Sequence, residues 1–107
     1  MTNKKILGML GLASRARKIS FGTDSTLAEM QKHKIKLVVV AEDASERTRN
    51  KLKENAKKFN VPIIICGSIE ELSKAIGKQN KAIIGIKESN IATEIERINR
   101  GDVNGEN

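Results

Sequence analysis

Helical and strand-like segments alternate along the whole chain. This alternation predicts an α/β fold, a three-layer α-β-α sandwich with a small, about four-stranded mixed sheet. Two continuous aliphatic runs, at 35–41 and 63–65, have the length and β-branched composition of strands that are covered on both faces. Between the strand-like runs, apolar residues recur at the spacing of helices that pack one face on a core.

In the first half of the chain these patterns predict the order α-β-α-β. The first helix is expected to begin at a cap on Thr2 and to run to about Ser14, with apolar residues over most of its circumference. A short strand over 18–21 leads into the turn 22–25, whose polar side chains would cap a second helix from about Thr26.

The second half continues the alternation with a helix after the turn 42–45, the strand 63–65, a short helix, a strand over 82–86 and a last helix. Ser68 and Glu71 have the spacing of a capping box, in which each side chain accepts a hydrogen bond from the other residue's amide. The short helix that follows is expected to stop at Gly77. Ser89 or Asn90 is expected to cap the last helix.

The length of 107 residues allows one hydrophobic core but not two. We therefore expect one domain over residues 1–100, followed by a flexible polar tail over 101–107. The single cysteine, Cys66, excludes an internal disulfide and a thiolate metal cluster. No apolar run has the length of a signal peptide or membrane span, so we expect a cytoplasmic protein that could associate with ribosomes.

Positive charge is concentrated in the first third of the chain. The net charge is +7, and residues 1–36 contribute +6 of it. Such a patch points to nucleic acid or to an anionic membrane surface. Membrane-surface helices prefer Trp or Phe on their apolar side, and the first helix has neither, so nucleic acid is the better interpretation.

Four strand-to-helix turns would meet at one edge of the sheet wherever the strands are parallel, and this is the usual ligand edge of such folds. The turns at Glu42-Asp43 and Lys87-Glu88 carry acids, which repel phosphate. The turns at Gly22-Thr23 and Cys66-Gly67-Ser68 do not, so they are the better candidates. The Gly22 turn is also flanked in sequence by six cations, and a helix start flanked by cations is suited to holding phosphate.

An enzyme is the weakest interpretation. Glu42 and Asp43 could hold Mg²⁺, but no phosphate-transfer motif accompanies them, and helix capping is the better explanation. The only histidine, His33, has no second histidine and no nucleophile near it in sequence. We therefore expect no catalytic residue, no metal and no cofactor.

Several stretches together give the chain a resemblance to a known family. They are LGLASRARKISFG at 10–22, KLVVVAEDAS at 36–45, NVPIIICGS at 60–68 and LSKAIGK at 72–78. The set, in this order, resembles the ribosomal protein L-seven-Ae family of kink-turn RNA binders, and within it the small bacterial YlxQ-like branch. The resemblance implies an α-β-α sandwich that binds kink-turn or related internal-loop RNA.

The resemblance also implies a binding motif, G-x-N-E-x-T-K, at the start of the second helix, and an apolar loop before the fourth helix. The motif begins here at Gly22 but then departs from the family pattern. Asp24 stands where the family has Asn, Ser25 where it has Glu, and Ala28 where it has Lys. Because Asp24 accepts but cannot donate and Ala28 removes a cation, we expect lower affinity or altered base specificity.

The predicted function is that of a noncatalytic, ribosomal-protein-type RNA binder for kink-turn or internal-loop RNA, monomeric in the absence of RNA. The alternative is a small module that binds an acidic protein surface and has only nonspecific RNA affinity. The residues expected to contact RNA are Arg15, Arg17, Lys18, Gly22, Thr23, Asp24, Ser25, Ala28, Lys32, Lys36, Ile65, Cys66 and Gly67.

Overall fold

The structure is a computed structural model that describes residues 3–101. Thr2, the predicted first cap, and residues 102–107 of the predicted tail lie outside the described residues. The domain boundary at residue 100 therefore stays a prediction. The elements in chain order are α1 (Lys4–Arg15), β1 (Ile19–Phe21), α2 (Thr23–Gln31), β2 (Leu37–Val40), α3 (Glu46–Lys58), β3 (Ile63–Ile65), α4 (Ile69–Ala75), β4 (Ile83–Ile86) and α5 (Ser89–Asn99).

The four strands form one mixed sheet in the order β1-β4-β2-β3. β2 and β3 are parallel, whereas β4 runs antiparallel to both of its neighbours, β1 and β2. Helices α2 and α3 pack together on one face of the sheet, and α1 packs with α4 and α5 on the other. The predicted three-layer α-β-α fold with a mixed four-stranded sheet is confirmed.

The centre of the sheet is fully buried, and its outer strands are not. Every residue of β2 and β4 is buried, in line with the aliphatic runs that predict them. In β3, Ile63 and Ile64 are only half-buried and Ile65 is exposed. The prediction that β3 is a buried strand is wrong, because β3 is an outer strand that pairs with β2 alone among the described strands.

Four of the described helices begin at a side-chain cap. Asn3 caps α1 and Ser45 caps α3. The predicted capping box of Ser68 and Glu71 is confirmed at the start of α4. The cap of α5 is Glu88, whose carboxylate accepts from the amide of Ile91 at 2.7 Å. The expected caps Ser89 and Asn90 are wrong, because the chain is already helical at both positions.

Helix α2 begins three residues earlier than predicted, at Thr23 instead of Thr26. Its N-cap is Gly22, so the expected capping by residues 23–25 is wrong: those residues form the first turn themselves. Thr26 lies one turn inside the helix, is fully buried, and shares a 2.9 Å hydrogen bond with the buried hydroxyl of Ser20 in β1. This bond fixes the start of α2 against the sheet.

Candidate nucleic-acid interface

Three of the four predicted turns meet at one edge of the sheet. Because β1, β2 and β3 point the same way, the turns that follow them lie together there, and the loop 77–82 brings the chain to the same edge at the start of β4. We use the name Gly22 edge for this side of the sheet, where β1, β2 and β3 end and β4 begins. The Lys87-Glu88 turn follows the reversed strand β4, so it lies at the opposite edge, and its predicted place among the four turns is wrong.

Gly22 gives α2 an unusual start. Its φ of +86° is a left-handed conformation that favours glycine, and its amide donates to the carbonyl of Ile83 at 2.9 Å. Having no side chain, Gly22 makes α2 the one helix in the described part of the chain without a side-chain cap. The first amides of a helix have no partner within it, so this start is suited to an acceptor from outside.

The residues of the predicted motif lie together on this helix start. Thr23 is half-buried, whereas Asp24 and Ser25 are exposed in the first turn. Ala28 is exposed one turn further along α2. The structure therefore brings Gly22, Thr23, Asp24, Ser25 and Ala28 together at the start of α2.

Most predicted phosphate-binding cations lie at the opposite edge from Gly22. Lys18 and Lys36 stand at the beginnings of β1 and β2, where they pair with the end of β4: the Lys87 amide donates to the Lys18 carbonyl at 2.8 Å, and the Lys36 amide donates to the Ile86 carbonyl at 2.7 Å. Lys32 is the C-cap of α2.

The separation between these cations and Gly22 follows from element length. A three-residue strand spans about 10 Å and a nine-residue helix about 13 Å. The expectation that Lys18, Lys32 and Lys36 surround the Gly22 turn is therefore wrong, because sequence neighbours sit at opposite ends of β1 and α2. Arg15 is the last residue of α1, and its guanidinium group lies beside Gly11 of the same helix. A Cβ built on Gly11 would be 3.3 Å from the Arg15 Nη1 atom.

Two lysines near Gly22 are absent from the predicted site. The Nζ atoms of Lys78 and Lys81 lie 5.1 and 5.3 Å from the centre of the Phe21 ring, immediately before Gly22. Sequence reasoning missed them because only a reversed β4 brings the preceding loop to this edge. The local signal was a pair of lysines in the short polar stretch between Gly77 and the strand.

The second predicted contact, 65–67, is not beside Gly22. β3 and β1 are the two outer strands, with β4 and β2 between them, so three strand spacings, about 14 Å, separate the two turns. Ile65 is 40% exposed, but Cys66 is only 8% exposed and faces the core. The expectation that Cys66 packs on a base is wrong for that reason. Burial raises the pKa of its thiol to about 11, with Glu42 and Glu71 adding to the effect.

A wide depression of about 750 Å³ lies beside the loop 77–82, between α4 and the turn after β2. Two hydrogen bonds shape it. The Ser73 hydroxyl accepts from the Lys81 amide at 2.7 Å, and the Asp43 carboxylate accepts from the Ile69 amide at 2.8 Å. Asp43 therefore acts at a helix start, as its capping interpretation predicts, although the helix is α4. Among residues 3–101 no group of three His, Cys, Asp or Glu side chains is placed to hold a metal ion.

The chain belongs to the L7Ae/L30e family. The profile of the Ribosomal protein L7Ae/L30e/S12e/Gadd45 family matches residues 4–95. This membership confirms the resemblance drawn from the sequence, and with it the prediction of a noncatalytic protein. In the part of the chain that the structure covers, no helix has the length and apolar character needed to cross a membrane.

Particular relatives are bacterial proteins of similar length. RNA-binding protein YlxQ of Enterococcus faecium is 35% identical over 98 residues, which are 92% of this chain and 94% of the relative. RNA-binding protein YlxQ of Bacillus subtilis is 30% identical over 95 residues, 89% of this chain and 95% of the relative.

Two solved structures share the fold. A protein of unknown function from Bacillus halodurans superposes with a TM-score of 0.87 at 29% identity, over 90% of this chain and 97% of its own. The 15.5kD RNA binding protein of Giardia lamblia superposes with a TM-score of 0.80, over 96% of this chain and 94% of its own. Its 20% identity makes it a comparison of fold alone.

Proposed function

We propose that this protein binds structured RNA, of the kink-turn or related internal-loop kind, at the Gly22 edge. It acts as a monomer in the bacterial cytoplasm and carries out no reaction. The relatives in Enterococcus faecium and Bacillus subtilis bear the name RNA-binding protein, and this chain matches them over about nine-tenths of its length.

The observation that carries the proposal is the uncapped start of α2. With glycine as its cap, α2 begins without a side chain that competes for its first amides, and Lys78 and Lys81 stand beside Phe21 at the same place. Amides at a helix start and nearby ammonium groups are complementary to phosphate and to other acceptor atoms of RNA.

The side chains on α2 give this edge a base-reading set of its own. Asp24 can accept from guanine N–H groups, and Thr23 and Ser25 can donate to or accept from base edges and phosphates. Ala28 leaves room where a lysine would reach a base. Ile65 and Gly67 remain proposed contacts at the far end of the edge, about 14 Å away, for RNA that extends along the ends of the strands.

A binding comparison tests the proposal. We expect the protein to bind an RNA with a kinked internal loop more tightly than a straight duplex of equal length at moderate salt. Lys78→Ala/Lys81→Ala should remove about two phosphate contacts. It should therefore reduce the slope of log K against log salt by about 1.4 to 1.8 on the kinked RNA. Filter binding over a series of salt concentrations measures both quantities.

The matched control is Lys51→Ala/Lys53→Ala, which removes the same charge from two exposed positions of α3. Equal affinity for kinked and straight RNA would contradict shape recognition. An edge variant that behaves like the control would contradict the assignment of the site. The alternative, a protein-interaction module, predicts instead a protein partner that stays bound in a pull-down after nuclease treatment.

A further inference from the structure

We infer that the end of the molecule opposite the Gly22 edge is a second RNA-binding surface, one that holds phosphodiester backbone without reading bases. Its residues come from three separate stretches of chain, the loop after α1, the loop after α2 and the end of β4. They line a shallow depression of about 370 Å³ and are Arg17, Lys18, His33, Lys34, Lys36 and Lys87. We call this surface the basic end.

The folded chain creates this cluster by pairing strands. The backbone hydrogen bonds of Lys87 with Lys18 and of Lys36 with Ile86 hold the ends of β1, β2 and β4 side by side. The three lysines are thereby fixed at neighbouring backbone positions, although Lys87 is 51 residues beyond Lys36 in sequence. Like charges held together on a rigid frame create a local positive potential that favours an anionic ligand.

Among residues 3–101, one acid compensates part of this charge. Glu29 pairs with Lys87 at 3.3 Å and with Lys32 at 3.8 Å. The hydrogen bond from Lys87, with the charges of the nearby lysines, lowers the pKa of the Glu29 carboxyl, so it stays ionised. Among the described residues no ion pair engages Arg17, Lys18, Lys34 or Lys36, all of which are exposed.

Backbone conformation at this end also favours a binding role. Arg17 and His33 follow the C-caps of α1 and α2, and both have a φ of +59°. Glycine is the residue that such positions usually carry, because a side chain is disfavoured in this left-handed conformation. At these two helix ends the chain therefore carries the Arg17 guanidinium and the His33 imidazole in a backbone conformation that disfavours side chains.

The lining selects RNA backbone over a protein partner. Every described residue that lines the depression is basic or an imidazole, and none of them is apolar. Protein interfaces have an apolar or aromatic centre, which is missing here, whereas backbone binding requires only positive charge. The ring of His33 packs edge-on against Phe59, with centroids 6.0 Å apart. The surface therefore suits phosphate groups and not a stacked base.

The two surfaces lie at opposite ends of β1, and we assign a separate stretch of backbone to each. The second stretch belongs either to a distant arm of the same folded RNA or to another RNA. In both cases the protein would hold two backbone segments at a fixed distance. This inference goes beyond the Gly22-edge proposal and does not depend on it, because a straight duplex is sufficient to test it.

The test is a salt titration of a straight 12-base-pair RNA duplex with wild type, Lys34→Ala/Lys36→Ala and the control Lys51→Ala/Lys53→Ala. We expect the basic-end variant to lower the salt slope by about 1.8 and to weaken binding about 10- to 100-fold at 0.1 M salt. The control variant should show a clearly smaller loss. Lys34→Arg/Lys36→Arg keeps the charge and should retain the wild-type slope, which separates charge from folding.

Two results would overturn the inference. One is a basic-end variant that matches the control on the duplex. The other is displacement of the duplex by poly-glutamate as effectively as by an equal charge of unlabelled duplex, which would assign the surface to an acidic protein. The same variant on a kinked RNA with short or with long arms then shows where the second backbone segment comes from. A loss of affinity confined to the long-armed RNA indicates that both segments belong to one RNA. An equal loss of affinity for both RNAs indicates a second RNA molecule.

Discussion

Cys66 shows how the environment of one side chain decides its role. The sequence allowed either a contact residue for RNA or a small hydrophobe, and burial of the thiol in the core selects the second. The same burial raises the pKa of the thiol to about 11 from an ordinary value of 9.0. A neutral thiol is therefore the form that the folded protein accommodates.

This shift makes stability depend on pH above 9. Because the folded state holds the Cys66 proton more tightly than the unfolded state, the thiol's contribution is complete below pH 9 and is lost as the pH rises toward 11. The loss should reach on the order of 2 kcal/mol. Urea unfolding of wild type and Cys66→Ala between pH 8 and 11 measures it. A stability difference between the two that stays constant over this range would contradict the assignment.

The contact between β1 and α2 depends on a buried pair of hydroxyl groups. Thr26→Val keeps the shape of the side chain but leaves the Ser20 hydroxyl buried without its partner, which should cost about 1 to 3 kcal/mol of unfolding free energy. The double variant Ser20→Ala/Thr26→Val removes both polar groups. It should be more stable than the sum of the two single changes predicts. Additive losses across this double-mutant cycle would argue against a coupled pair.

Gly85 allows α2 to lie close to the middle of the sheet. A Cβ at this position would come within 2.6 Å of the Ser20 Oγ, 2.8 Å of the Ile35 Cδ1 and 3.1 Å of the Thr26 Cγ2 in α2. Gly85→Ala should therefore lower the unfolding free energy by about 1 to 3 kcal/mol. The control is Gly8→Ala on α1, where nothing lies within 4 Å and alanine should stabilise the helix by roughly 0.5 to 1 kcal/mol. Equal thermal shifts for the two variants would contradict this packing.

At the scale of the whole molecule, local patterns predicted the elements but not which ends of them meet. The Ser68 and Glu71 capping box lies within four residues, and β2 is marked by its own composition, so both could be predicted from short stretches. Glu88 was missed as a cap because Ser89 is the better intrinsic capping residue, and only the backbone shows that the helix has already begun there.

The residues of the motif at the start of α2 could be predicted from the sequence, whereas the positions of the lysines around it could not. Gly22 and the residues after it are contiguous, so the alignment with the family pattern places them together. The position of Lys78 and Lys81 beside Phe21, and of Lys18 and Lys36 away from it, depends on the reversed direction of β4. No short stretch of sequence contains that information, because strand order is a property of contacts between distant segments.

The position of β4 also sets the order in which the protein can be completed during synthesis. Among residues 3–101, β4 is the last strand to be made, yet it lies between β1 and β2, and β1 has no other strand as a neighbour. A nascent chain that has not yet reached Ile83 can pair β2 with β3 but cannot seat β1. The amide of Gly22 donates to the Ile83 carbonyl, so this hydrogen bond also forms only after Ile83 has been synthesised. Translation therefore finishes most of the polypeptide before the Gly22 edge is complete.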